Sequence, residues 1–323
     1  MKTKSFFKEI SSVENLFLAW NEFVKGKRYK KDVAEFSLNL SENIFDLHQN
    51  LMRKTYIHGG YHAFNISDPK PRNIHKATVR DRLLHHAIYR VLYPYFDTKF
   101  IYDSYSCRVG KGTHRAIERF KLFAQKASIN HTKTLWILKC DVRKFFASID
   151  QKRLLQILGI YNLDKNTLWL LGRVIESFHI GRKGRGLPLG NLTSQLLVNV
   201  YMDWFDQYMK HRLKAKYYIR YADDFVMMSA DKKYLEEVLV QIKFFLKDNL
   251  LLELHPDKVF IKTLSSGVDF LGWVHFPKYQ VLRTVTKRRM LKNLKNNPSR
   301  ETTQSYLGML SHGNAFKISS RVK

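Results

Sequence analysis

The sequence predicts an α+β fold in which an antiparallel sheet is backed by helices on one face. Two observations carry this. Short apolar runs of strand length alternate with longer stretches of helical spacing, in the order ββα, β with a terminal acid, α, α, ββ, α, ββ, α. With 45% hydrophobic and 14% aromatic residues over 323 positions, the chain can bury a sizeable core, as one large domain or as two to three closely packed parts. Its 15 glycines and 7 prolines form no long linker, and no repeat or low-complexity tract divides it.

Taken in order, residues 11–55 read as helices, since "SSVENLFLAWNEFV" places its apolar residues on one face. "HGGYHAFNISDPKPRNIHKATVR" (58–80) alternates and carries turn formers, which predicts short strands around a basic loop. "DRLLHHAIYRVLYPYF" is a helix with Pro94 near its end. "GTHRAIERFKLFAQKA" (112–127) is another, with Thr113 as N-cap. "TLWILKCDV" (134–142) is a strand running into an acid, and "KFFASIDQKRLLQILG" turns helical. "GNLTSQLLVNVYMDWFDQYMKHRL" (190–213) is a long helix behind a Gly/Pro loop, and "KYYIRYADDFVMMSA" is two short strands flanking two acids. "KKYLEEVLVQIKFFLKDNL" is an amphipathic helix. "GVDFLGWVHF" is a strand pair with Gly272 at a close approach. "LKNNPSRETTQSYLGML" is two helices broken at Pro298, with an N-cap at Ser299.

Lys and Arg number 56 against 28 Asp and Glu, a formal charge of +28. Each cation that neutralises a phosphate releases condensed counterions, so a polyanion is the expected partner. Nucleic acid is favoured, with an anionic membrane surface as the alternative. Eleven of the basic residues lie between Lys278 and Lys323, where Glu301 is the only acid after Asp269; apolar residues interleave them, as in structured elements. Cys107 and Cys140 stand far apart, which predicts neither a disulfide framework nor a zinc site. "MKTKSFFKEISS" lacks the apolar core of a secretory leader, and no apolar run reaches the ~18 residues of a spanning helix, so a cytoplasmic protein is expected. "VGKGTH" lacks the spacing of a phosphate-binding loop, and the histidines show no HExxH spacing.

Asp223 and Asp224 interrupt the apolar run "IRYADDFVMM", where unpaired charge is costly. Adjacent strand residues face opposite ways, so both reach one site only through a tight turn, and the flanking strands make that turn a hairpin tip. A solvated turn and a catalytic pair both fit these residues. Asp141, at the end of "LWILKCD", is either a helix N-cap or a third acid. Three acids on neighbouring strand ends suit two divalent cations, Mg²⁺ with Mn²⁺ as an alternative, which serve an in-line phosphoryl displacement.

"YADDF" (221–225) resembles the YxDD box of reverse transcriptases, and "KCDVRKFFASID" (139–150) resembles their first catalytic aspartate motif. "PRNIHKATVRDRLLHHAI" (71–88), "SYSCRVGKGTHRAI" (104–117), "GLPLGNLTSQLLVNVY" (186–201), "LELHPDKVFI" (252–261) and "VDFLGW" (268–273) resemble the other motifs, in the family's order, over about residues 50–276. Within the family, "LGNLTSQ" is most similar to reverse transcriptases of diversity-generating retroelements, which resemble group II intron enzymes. Leu189 stands where the intron enzymes carry Gln, and Gln195 where they carry Pro.

The resemblance implies a right-hand polymerase. Residues 1–95 would form N-terminal helices and fingers, 96–146 the first part of the palm, and 147–188 the second part of the fingers. Residues 189–276 would complete the palm with the YADD hairpin and primer grip, and 277–323 would form a short basic helical thumb. The implied reaction is RNA-directed DNA synthesis. Asp141, Asp223 and Asp224 would be catalytic and hold the metal ions, with the Val142 backbone. Arg72, Arg80, Arg143, Phe146, Leu189, Gly190, Gln195 and Lys258 would bind the nucleotide, and Phe270, Leu271, Gly272 and Trp273 would grip the primer. The plainer readings are surface charge for Arg72 and Arg80, a core aromatic for Phe146 in place of a steric gate, a solvated helix end for Lys258, and a simple bulge at Gly272. Arg82 is expected to pair with Asp81. Leu189 removes an amide's hydrogen bonds from the nucleotide pocket, which is expected to loosen discrimination.

The implied task is low-fidelity copying of a template-repeat RNA into cDNA, with errors at adenines, to diversify a gene in a bacterium or phage. Expected partners are the template RNA, the RNA–DNA hybrid, deoxynucleotide triphosphates and a small basic oligomeric accessory protein, with no membrane. The rivals are an antiviral-defence reverse transcriptase, with templated or untemplated synthesis, and a catalytically silent RNA-binding scaffold.

Overall fold

The computed structural model describes residues 5–67, 71–296 and 298–322. The chain divides into two compact units. The first comprises Met1–Tyr102, Arg143–Tyr208 and Phe245–Glu253, and the second Asp103–Val142, Met209–Phe244 and Leu254–Lys323.

The first unit is mostly helical. Helix Val13–Phe23 buries Leu16, Ala19, Trp20 and Phe23, and helix Val79–Asp97 buries Leu83, Leu84, Ala87 and Ile88; the two pack together. Ser12 and Thr78 cap them, each side-chain oxygen accepting from the N–H three residues on at 3.2 Å. Strands β1 (Tyr61–Ile66) and β2 (Arg72–Ala77) form an antiparallel hairpin. The basic loop expected between them falls partly on residues 68–70, outside the described residues. The helix expected after Asp141 is two, Phe145–Ser148 and Gln151–Ile160, because Asp150 is extended and its carboxylate accepts from Arg153 N–H at 2.8 Å. The long helix expected over 190–213 is α-helical only over Leu192–Gln207 and widens into a π-turn at Tyr208–Arg212.

In the second unit, β3 (Trp136–Asp141), β4 (Tyr218–Tyr221), β5 (Asp224–Ser229) and β6 (Phe260–Thr263) form an antiparallel sheet of order β4-β5-β3-β6. β7 (Val268–Phe270), β8 (Trp273–His275) and β9 (Gln280–Leu282) form a separate three-stranded sheet, so the single sheet expected is divided. Helix Thr113–Ala127 lays Ala116, Phe120, Phe123 and Ala124 against Ile137, Ile219, Val226 and Phe270. Its cap is Gly112, at φ +111°, one residue earlier than expected; the Thr113 hydroxyl is instead spent on the Tyr221 hydroxyl at 3.2 Å. Ser299 does cap helix Arg300–Leu310, after helix Thr284–Asn296, and a further helix, Phe316–Val322, follows. These pack Met290, Leu310 and Ala315 around Trp273 and Leu282. The Trp273 ring leaves no room for a Cβ at Gly313. Among the described residues no helix is long and apolar enough to cross a membrane.

Candidate active site

Tyr221 pairs with Asp224, so β4 and β5 are joined by Ala222 and Asp223 alone. Ala222 lies at φ +56°, a region that costs an L-residue about 1–2 kcal/mol. Such strain persists only where its surroundings hold it. Arg220 does so here. It is fully buried, donates from Nη1 to the Ala222 carbonyl at 3.0 Å and from Nη2 to Ser104 Oγ at 3.0 Å. Val142 N–H closes the other side by donating to the Asp223 carbonyl at 3.1 Å.

Asp141 is the cross-strand partner of Asp224 in β3 and β5, which places both carboxylates on one face of the sheet. Like charges directly opposite each other are destabilising. Two lysines compensate. Lys139, two residues before Asp141 and on the same face, is buried with Nζ 3.0 Å from Asp224 Oδ1. Lys258 ends the 3₁₀ turn Pro256–Lys258 and brings Nζ 3.0 Å from Asp141 Oδ1. That turn is anchored by His255, whose N–H donates to the Asp141 carbonyl at 2.7 Å and whose Nδ1 accepts from Asp257 N–H at 3.2 Å. Asp224 Oδ1 is buried, and the Lys139 ammonium is the charge beside it. Burial pushes the Asp224 carboxyl up to about 6; Lys139 opposes the shift, and Asp141 and Asp223 add to it.

The donor chemistry suits a hard divalent cation: the Asp141 and Asp224 carboxylates share one sheet face, and Asp223 sits in the adjoining turn, its carbonyl held by the Val142 N–H. As they stand, among the described residues no three acidic, histidine or cysteine side chains group closely enough to hold an ion. Two of the acids are engaged by lysines instead.

The other expected site residues divide between the units. Lys258 and residues 270–273 belong with the acids in the second unit, and Arg72, Arg80, Arg143, Phe146, Leu189, Gly190 and Gln195 lie in the first. Arg72 opens β2 and is exposed. Loop 189–191 lies along that strand: His75 N–H donates to the Leu189 carbonyl at 3.1 Å, and Asn191 Nδ2 donates to the His75 carbonyl at 2.9 Å. Gly190, at φ +97°, approaches Ile74 so closely that a Cβ would fall 2.8 Å from its Cγ2. Gly190 and Gln195 line a cavity of about 430 Å³ with Phe23, Lys27, Ile74 and Lys76. Leu189 is half-buried beside them in the chain. Phe146 is half-buried, edge-on to Phe145 at 5.7 Å, and its carbonyl accepts from Leu187 N–H at 2.9 Å. Arg143 is exposed, 3.8 Å from Glu253.

Arg80 donates to the Ile57 carbonyl at 2.5 Å and lies 3.6 Å from Asp81. Asp81 is fully buried; burial alone would raise its carboxyl, but His58, Thr78, Tyr56 and Arg80 hold it below the usual range. The expected pairing of Arg82 with Asp81 is not formed. Successive helix residues do not face each other, and Arg82 meets Asp32, which also holds Lys76.

At the expected primer grip, Phe270 pairs with Trp273 across a two-residue turn whose residues Leu271 and Gly272 have φ +52° and +88°. Phe270 stacks on Phe120 in the core and Trp273 is buried against Gly313, so only Leu271 and Gly272 are partly accessible. The close approach expected at Gly272 is absent: nothing lies within 4 Å of where its Cβ would be, and its conformation alone calls for glycine. Sequence reasoning missed Lys139 and Arg220. Each is a lone charge inside an apolar strand, the same signal that singled out Asp223 and Asp224.

A family model described as reverse transcriptase (RNA-dependent DNA polymerase) matches residues 66–275. The chain is 26% identical over 243 residues to Protein YkfC of Escherichia coli (strain K12), covering 64% of this chain and 63% of that protein. It is 21% identical over 271 residues to the group II intron-encoded protein LtrA of Lactococcus lactis subsp. cremoris, covering 63% of this chain and 44% of LtrA. The chain thus spans less than two thirds of the length of either relative. Apo telomerase from Candida tropicalis superposes with a TM-score of 0.53 at 13% identity, over 68% of this chain and 48% of that one.

Proposed function

The chain belongs to the reverse transcriptase (RNA-dependent DNA polymerase) family, with the mixed antiparallel fold of right-hand polymerases, and on that premise we propose that it polymerises deoxynucleotides on an RNA template. The observation that carries the reading is the meeting of Asp141 and Asp224 on one sheet face beside the strained turn that carries Asp223. Asp141, Asp223, Asp224 and the Val142 backbone would hold magnesium, the kind of ion the family uses. When bound, it supplies charge neutralisation at the attacking and leaving oxygens of the displacement. Lys139 and Lys258 balance the carboxylates' charge within the sheet. Arg72, Arg80 and Arg143 offer guanidinium groups to a triphosphate. Phe146 would bar a ribose 2′-hydroxyl, and the Leu271–Gly272 tip would meet the primer. Primer extension with magnesium on a short RNA template should yield full-length cDNA, and Asp223→Asn should lower the rate at least ~10³-fold. Equal product from both proteins would refute the reading.

The finer proposal is copying with errors at template adenines, as in diversity-generating retroelements, on a template-repeat RNA and with a small basic accessory protein. Leu189 supports it. This apolar side chain sits in loop 189–191, pinned along β2, and brings no amide to test a base pair. Sequencing cDNA made on a defined RNA checks this. Leu189→Gln should cut misincorporation opposite adenine about tenfold, and an unchanged error spectrum would sink it.

A further inference from the structure

Lys139 is a charge that holding metal and substrate does not by itself require. It stands two residues before Asp141 in β3, on the sheet face that also carries Asp224. Its cross-strand partners are Val226 on β5 and Phe260 on β6, and both pack in the apolar cluster that includes Phe120 and Ile137. The Lys139 side chain is 8% exposed, and its ammonium lies 3.0 Å from Asp224 Oδ1. Lys258 differs. It reaches Asp141 at the same 3.0 Å from a 3₁₀ turn, and its side chain is 45% exposed. Water can take the Lys258 ammonium at little cost, whereas Lys139 has apolar partners on both sides in place of water.

A fixed ammonium beside a carboxylate does two things. It permits Asp224 to be buried opposite Asp141, which like charges would otherwise oppose. It also repels any second cation that approaches the same carboxylate. The effects are linked: the stability that Lys139 adds to the ion-free fold is lost from the ion's affinity. Resting on the reading that Asp141, Asp223 and Asp224 hold a divalent ion, we propose that Lys139 is a built-in counter-ion that keeps the acid cluster folded without metal and weakens the metal's hold on it. The acids alone then bind the ion loosely, and the phosphates of a bound triphosphate supply the missing negative charge. Ion retention comes to depend on the presence of substrate.

Titrating the whole protein with Mn²⁺, with free ion read by electron paramagnetic resonance, measures that affinity without polymerisation. Lys139→Met removes the charge and keeps an unbranched side chain of similar length. Lys139→Gln removes the charge and keeps a hydrogen-bond donor for Asp224. Both should bind Mn²⁺ about tenfold more tightly than wild type, because a unit charge is withdrawn from a poorly screened site. Lys258→Met should change the affinity about twofold at most, its charge being screened by water. In EDTA, Lys139→Met should melt below wild type, and Mg²⁺ should raise its midpoint by more than it raises that of wild type. Lost packing weakens ion binding, so a gain in affinity separates this role from a structural one. Unchanged or weaker binding in a folded neutral variant, or an equal gain in Lys258→Met, would overturn the inference. Asp223→Asn tells its failure from that of the metal reading. If Asp223→Asn binds Mn²⁺ more weakly than wild type while the Lys139 variants gain nothing, the metal site stands and the role of Lys139 falls. If Asp223→Asn binds as wild type does, the metal reading falls and takes this inference with it.

Discussion

The second unit contains two hairpins closed by two residues, Ala222–Asp223 between β4 and β5 and Leu271–Gly272 between β7 and β8. They solve the same geometric problem with different physics. The first places alanine at a left-handed φ and holds it with a buried arginine that hydrogen-bonds the turn. The second likewise places an L-residue, Leu271, at a left-handed φ beside Gly272, but anchors the turn with buried aromatic side chains, Phe270 and Trp273, on either side. The polar brace suits a turn that must carry carboxylates. Hydrophobic anchors would put greasy surface where charge is needed, whereas a guanidinium satisfies backbone and side-chain oxygens at once. The aromatic anchors suit a tip that needs only a fixed position.

Three substitutions test this contrast. The largest effect is expected for Trp273→Ala, which empties the contact with Gly313 and should cost about 3–5 kcal/mol, read from urea midpoints. Arg220→Met comes next, at about 2–3 kcal/mol, because it leaves the Ala222 carbonyl and Ser104 hydroxyl without a donor. Assayed where both variants remain folded, it should lower primer extension more than Trp273→Ala does. The reverse order would show that the brace is not specific to the acid turn. The smallest effects carry opposite signs. Ala222→Gly should stabilise by about 0.5–1 kcal/mol by relieving the left-handed alanine, and Gly272→Ala should destabilise by about 1 kcal/mol by creating one. Thermal melts of the pair decide it, and equal signs would mean that the two turns are not strained as described.

Much of this was legible locally. The acid hairpin follows from two short apolar strands around the acids, although the turn is Ala222–Asp223 and Asp224 already belongs to β5, and the end of β3 at Asp141 follows from where its apolar run stops. The cap at Ser299 sits where a short polar side chain precedes helical periodicity. Misreadings arose where a residue's partner is distant. Thr113 is drawn off its cap position by Tyr221, and Arg82 reaches back to Asp32 rather than to its neighbour. Gly272 reads as a close approach because a glycine in a strand pair has two explanations, and only the turn's dihedral angles choose between them.

The sequence by itself determined most of the strand and helix segments, where the three acids stand in them, and that nucleic acid is the expected partner of so basic a chain. It did not determine the break at Asp150 or the π-turn at Tyr208–Arg212. Periodicity and composition are properties of neighbouring residues, and they survive without a fold. Tertiary structure alone decided which charge answers which. Lys258 meets Asp141 from 117 residues away, and Lys139 meets Asp224 only because the register of β3 on β5 sets them diagonally on one face. Shifting that register by one residue would turn the same side chains to opposite faces, so no local pattern could have announced the pairs.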